Sequence, residues 1–220
     1  MKKVLLIIAF IGCLNAQGQN TKKLSDYFPD LQNVNTITTN RQLMKMLYSS
    51  ESGKNILDTI VALHYFFDDN VEIMHDVFEG YNSDENTYTY TPYTKEVCPL
   101  YKKIFNKNIF LLCYSIESIM YIAIYNYQDD KIKNTLVILD DSNEADVFTW
   151  STIFPNNYIV TVQSIDKTYY ILSKIDYDSQ KFIELKKIEA DSNQSYYSIM
   201  NDAFETLGIS ETGELLEEKQ

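Results

Sequence analysis

The chain has 220 residues, 45% of them hydrophobic and 23% charged, with a mean hydropathy of -0.26; that balance fits a folded domain with a core, not a disordered polymer. A formal charge of -12 repels phosphate backbones and anionic headgroups, so nucleic acid is excluded as a partner class. Aromatic residues make up 14%, with 18 Tyr and 11 Phe against a single Trp, a composition that suits half-buried sheet positions where a ring packs and its hydroxyl stays wet.

Residues 1–16 have the layout of a secretory signal peptide. Lys2 and Lys3 give a basic start, residues 4–14 form an apolar run too short to span a bilayer, and Ala16 offers a small residue for cleavage before Gln17. Removing them leaves 17 basic against 31 acidic residues. Gly12 followed by Cys13 supports a rival reading, lipidation at Cys13, although Phe10 stands where a lipobox wants Leu. No other apolar run reaches the ~18–20 residues a membrane helix needs, so no transmembrane span is expected, with a lipid anchor as the alternative. The Ala-Gln junction resembles that of exported proteins of Bacteroidetes-type bacteria.

Residues 17–38 are polar and read as an extended lead-in, with Pro29 barring a continuous helix. Thr39 and Gln42 fit a capping box, and Leu43, Met46 and Leu47 share the face of the helix it opens. A second helix is expected over 55–67, where Ile56, Ile60, Leu63 and Phe67 recur at helical spacing. Residues 71–78 fit strand and helix alike, 80–85 read as a loop, and 88–93 as an extended edge segment limited by Pro92. Residues 100–105 form a short helix or strand with Lys102 and Lys103 exposed.

From Ile109 the pattern turns to β. Strands are expected at 109–114, 119–127, 135–139, 147–154, 158–165, 169–177 and 182–188, separated by short polar turns such as Pro155-Asn156-Asn157. The spacing implies an antiparallel meander of about seven strands over 109–188. An internal echo runs through it: the Tyr/Ile-rich strand before Gln128-Asp129-Asp130 matches the one before Asp178-Ser179-Gln180, which points to one curved sheet or two packed ones. A helix over 195–207, stopped by Gly208, closes the fold, and 211–220 reads as a frayed acidic tail. The fold class is α+β: one domain over 39–210, with N-terminal helices and one C-terminal helix packed on the meander.

Candidate chemistry is thin. His64 and Asp68 share a helix face and with His75 would make a zinc set, but the spacing matches no ligand pattern, so solvated or core-edge histidines are the simpler reading. The acidic loops Asp140, Asp141, Asn143, Glu144, Asp146 and Asp68, Asp69, Asn70, Glu72 offer oxygen ligands for calcium but lack the loop glycine. Neither a metal nor any other cofactor is expected. No Gly-x-Ser-x-Gly elbow and no glycine-rich phosphate loop occurs, and nothing supplies the histidine that Cys113 would need as a nucleophile. After cleavage, Cys98 and Cys113 remain as a candidate disulfide in an oxidising compartment, with a small buried thiol in its strand as the alternative for Cys113.

The signal and strand order resemble the layout of small secreted proteins of gut Bacteroidetes with no assigned activity; no motif carries the resemblance, and it transfers no residues. The expected function is an exported, non-catalytic binding or interaction module of the cell envelope, taking a glycan or a protein. Tyr121, Tyr125, Tyr169 and Tyr177 are its candidate ligand-binding positions, because each pair shares strand parity and hence a sheet face. Two alternatives stand beside it. One is a secreted hydrolase with paired carboxylates in a deep pocket. The other is a scaffold or inhibitor that pairs through an open, uncharged edge strand.

Overall fold

A computed structural model describes residues 22–31, 38–50, 56–67, 75–82, 87–93, 95–140, 147–190 and 198–216. The described chain opens with a single 3-10 turn, Leu24–Tyr27, whose Leu24 is fully buried. Helix α1 (Asn40–Ser50) follows, with the expected box: Thr39 N–H donates to Gln42 Oε1 at 2.8 Å and Gln42 N–H to Thr39 Oγ1 at 3.4 Å. Helix α2 (Thr59–Phe66) starts later than the sequence suggests, because Asp58 caps it by accepting from Ile60 N–H at 2.9 Å. Leu57, just outside the helix, is pinned instead by its N–H to the Val97 carbonyl at 2.9 Å.

Strands β1 (His75–Asn82) and β2 (Thr87–Tyr93) form a two-stranded sheet of their own. Of the ambiguous run 71–78, His75 to Phe78 are therefore strand and 71–74 lie outside the described residues; the pairing continues to Asn82, into the expected loop. Then come β3 (Val97–Ile104), β4 (Ile109–Ile116), β5 (Ile119–Asn126), β6 (Lys131–Asp140), β7 (Phe148–Ile153), β8 (Tyr158–Ser164), β9 (Thr168–Asp176) and β10 (Lys181–Glu189). They make one eight-stranded antiparallel sheet in meander order. The added strand, β3, is the run left open between helix and strand, and its Lys102 and Lys103 are half-buried, not exposed. Helix α3 (Ile199–Leu207) ends on Gly208 in the left-handed region at φ 73°. The described residues after it, as far as Leu216, are not frayed: Leu216 N–H returns to the Gly208 carbonyl and Ser210 N–H to that of Glu214, each at 2.8 Å, making a C-terminal hook.

The sheet divides into two four-stranded halves, β3–β6 and β7–β10, joined among the described residues by two ladder pairs, Leu139↔Trp150 and Asp140↔Thr149. The internal echo is realised in the backbone. Phe105 N–H bonds the Ile109 carbonyl at 3.1 Å in the first half, and Phe154 N–H bonds that of Tyr158 at 2.9 Å in the second. The four-residue turns 127–130 and 177–180 end on Asp130 (φ 53°) and Gln180 (φ 55°), each nucleated by the side chain before it, Asn126 or Asp176. These two turns touch: Asn126 Nδ2 donates to Gln180 Oε1 at 3.2 Å, and Phe182 N–H to Asn134 Oδ1 at 3.0 Å. The halves thus enclose one shared core, with Ile122 and Ile138 from the first, Val162 and Tyr170 from the second, and Leu43, Leu47, Ala203 and Leu207 from α1 and α3. A second core lies on the other face of the first half, where Leu24, Phe28, Leu57 and Ala62 cover Leu112, Tyr114, Ala123 and Tyr125.

The lead-in is more than a strap. Leu31 N–H bonds the Lys102 carbonyl at 2.9 Å and Lys102 N–H bonds that of Pro29 at 2.8 Å, so the lead-in occupies the outer edge of β3. Thr38 exchanges two 2.9 Å backbone bonds with Ile153, at the edge β7 leaves free beyond its short pairing with β6.

Candidate functional site

Between Leu31, which pairs with β3, and Thr38, which pairs with β7, there is a small cleft between the halves, about 20 Å³, open at its mouth. Alternation along β3 turns Tyr101 and Lys103 toward it. Across the cleft stand Phe154, Pro155 and Asn157, from the turn that joins β7 to β8. Asn157 ends that turn at φ 75°, a left-handed conformation asparagine tolerates. Its carbonyl accepts Ile175 N–H at 2.8 Å, and its Oδ1 accepts the Tyr177 hydroxyl at 2.9 Å. Tyr177 in turn stacks on Phe105, ring centroids 3.6 Å apart, so an aromatic pair joins the two halves beside the cleft.

Burial governs the electrostatics. It pushes the Tyr101 hydroxyl well above the ordinary tyrosine range, with the neighbouring Cys113 adding to the shift. Burial likewise pushes the Cys113 thiol up to about 12, only partly offset by its hydrogen bond with Tyr101, and holds Tyr177 protonated. Lys103 moves the other way: half-buried, its amine is held below the usual lysine range by desolvation. Among the described residues no carboxylate lies within 4 Å of Lys103; its Nζ sits 5.1 Å from the Phe105 ring centroid. Half-buried Lys23 and Lys102, and exposed Lys133, have oxygen partners. Lys23 Nζ donates to the Tyr127 carbonyl, Lys102 to that of Ser25 at 2.9 Å, and Lys133 pairs with Asp129 at 2.6 Å.

The four tyrosines singled out by parity do not share a surface. Tyr125 is fully buried in the second core and donates to Asp130, while Tyr121, on the same face, is stacked 5.3 Å from Tyr114. Tyr169 is half-buried with Lys187 Nζ 4.4 Å above its ring. Only Tyr177 lies beside the cleft, and it falls in the turn after β9, outside that strand's parity. The candidate disulfide between Cys98 and Cys113 is not formed. A bulge between Pro99 and Tyr101 sets Ser115 opposite Cys98 and Tyr101 opposite Cys113, so the two thiols stand diagonal, beyond easy bridging reach.

Cys13, Asp68 and the acids at 141–146 lie outside the described residues, as does the side chain of His75. His64 is exposed, edge-on to Tyr65 at 4.8 Å. Among the described residues no three histidines, cysteines or acids gather to hold a metal, and no helix is long and apolar enough to cross a membrane.

Sequence reasoning missed Tyr101, Lys103, Phe105 and Asn157. The alternation Tyr101, Lys103, Phe105 was the available signal, once that run is assigned to strand. The cleft offers a cation, an amide and aromatic walls, and its described lining contains no Asp or Glu. No family model, curated protein or solved structure matches this chain.

Proposed function

We propose that this chain is an exported, non-catalytic binding module that holds a glycan over the mouth of the cleft between its two halves. The observation that carries the reading is the side-chain set around that cleft: the Asn157 amide and the Lys103 amine line it from the two halves, and the stacked Phe105–Tyr177 pair, held to Asn157 by the Tyr177 hydroxyl, stands beside it. Aromatic faces pack against sugar C–H groups, while amide and amine donors orient hydroxyl or acidic oxygens. Carboxylate-pair hydrolysis has no support in the described lining, which holds no acid.

A protein partner bound by strand addition is the weaker reading, because both sheet edges are guarded. Residues 29–31 of the lead-in pair with β3 at Lys102. At the other end β10 carries Lys181, Glu184, Lys186, Lys187 and Glu189 and a bulge between Glu184 and Lys186. The test is an oligosaccharide array probed with the purified exported chain. Selective binding is expected, and Tyr177→Ala should weaken it about tenfold or more, the loss of one aromatic contact and its hydrogen bond. Binding to no oligosaccharide, or an unchanged Tyr177→Ala, would defeat the reading. Intact mass of the cell-derived protein decides between cleavage after Ala16 and a lipid on Cys13.

A further inference from the structure

We infer that the ligand at the mouth of this cleft is an acidic sugar whose carboxylate enters the cleft, and that Lys103 is the residue that takes it. The inference rests on the glycan reading and narrows it. A half-buried ammonium without a carboxylate partner is costly, because burial removes hydration and nothing of full opposite charge replaces it. The Phe105 ring at 5.1 Å offsets a fraction of that cost. In a chain with 31 acidic residues against 19 basic ones, a compensating carboxylate is the easiest thing to supply, and Lys133 and Lys102 each have one nearby. Lys103 instead turns its uncompensated charge into a cleft. Such a charge is useful where the counter-ion arrives with the ligand.

The neighbouring groups fit a monoanion. Asn157 lines the same cleft with its Oδ1 already taken by Tyr177, which leaves the Nδ2 hydrogens to donate. A carboxylate presents two oxygens, one for the amine and one for the amide. A phosphate dianion would bring a second charge that the described lining does not match. Because desolvation lowers the lysine's pKa, binding should be strongest below that pKa and fade as pH rises through it, earlier than for a solvent lysine.

The experiment uses the whole exported chain with 13C-methylated lysines, which keep their charge. The Lys103 resonance is assigned by its loss in Lys103→Met, a variant whose unchanged or slightly raised Tm shows that it folds. Sodium glucuronate, glucose, sodium acetate and sodium chloride are titrated in turn. Glucuronate is expected to shift the Lys103 signal saturably and to raise its titration midpoint, acetate to do so at higher concentration, and glucose and chloride to leave it in place. Lys103→Met should weaken glucuronate binding about tenfold or more, and Lys103→Arg should restore most of it. A glucuronate effect no larger than that of chloride overturns the inference. If Lys103→Met keeps full oligosaccharide binding on the array, the acidic-sugar inference fails while the glycan reading stands. If no oligosaccharide binds and only acetate saturates at Lys103, the glycan reading fails and the acidic sugar goes with it.

Discussion

At the scale of single residues, Asp130 does the most with one side chain. Its two carboxylate oxygens accept the hydroxyls of Tyr65, at 2.8 Å, and of Tyr125, tying α2 to the hairpin of β5 and β6. Burial first, then these hydrogen bonds, hold both tyrosines above their ordinary pKa. Asp130→Ala leaves two part-buried hydroxyls without their acceptor and should cost about 2–4 kcal/mol, read as a lower urea midpoint at unchanged slope. Asp130→Asn keeps the left-handed turn and one acceptor oxygen, so it should cost about half as much. The cysteines are predicted to separate by burial. Cys113 is fully buried with its thiol pushed up to about 12, so in protein prepared without residues 1–16 the native state should take one adduct from a thiol reagent at pH 8, at half-exposed Cys98, and the urea-unfolded state two. Two fast adducts in the native state would contradict the packing of Cys113.

At the scale of elements, the C-terminal hook shows how close packing, and not charge, places a segment that reads as a polar tail. Gly213, at φ 90°, lies against buried Phe154, and a Cβ there would come within 2.6–2.8 Å of that ring and its Cβ. Gly208, at φ 73°, faces open space. Gly213→Ala should therefore cost about 2–4 kcal/mol from overlap and strain together, and Gly208→Ala only about 1 kcal/mol from strain. Thermal unfolding of the two variants checks the order; equal losses would mean that the hook does not seat on Phe154. Because Phe154 also lines the cleft, Gly213→Ala should disturb ligand binding as well, whereas Gly208→Ala should not.

At the scale of the whole molecule, the two halves meet through two ladder pairs but share one core, so they should unfold together. Trp150, the single tryptophan, pairs with Leu139 at that junction and is 5% exposed, so its emission reports on the docking of the halves. Its urea transition should coincide with that of the far-ultraviolet circular dichroism. Two separated transitions would show that the halves hold their own cores.

Much of this was legible in the chain itself. Runs of β-branched and aromatic residues between polar turns located seven of the eight strands of the main sheet to within a few residues, because local propensity and burial agree there. The Thr39–Gln42 box and Gly208 marked helix ends for the same reason: caps are local chemistry. Strand β3 was harder, since its outer face is satisfied by the lead-in, a contact distant in sequence. For the tyrosines, parity tells which residues share a face and not what covers that face; the 3-10 turn and α2 bury Tyr125. The cleft lay beyond sequence altogether. Tyr101, Lys103 and Phe105 meet Asn157 and Tyr177 only because two meanders fold over one core, and the cost of burying an unpaired amine appears only once its surroundings exist.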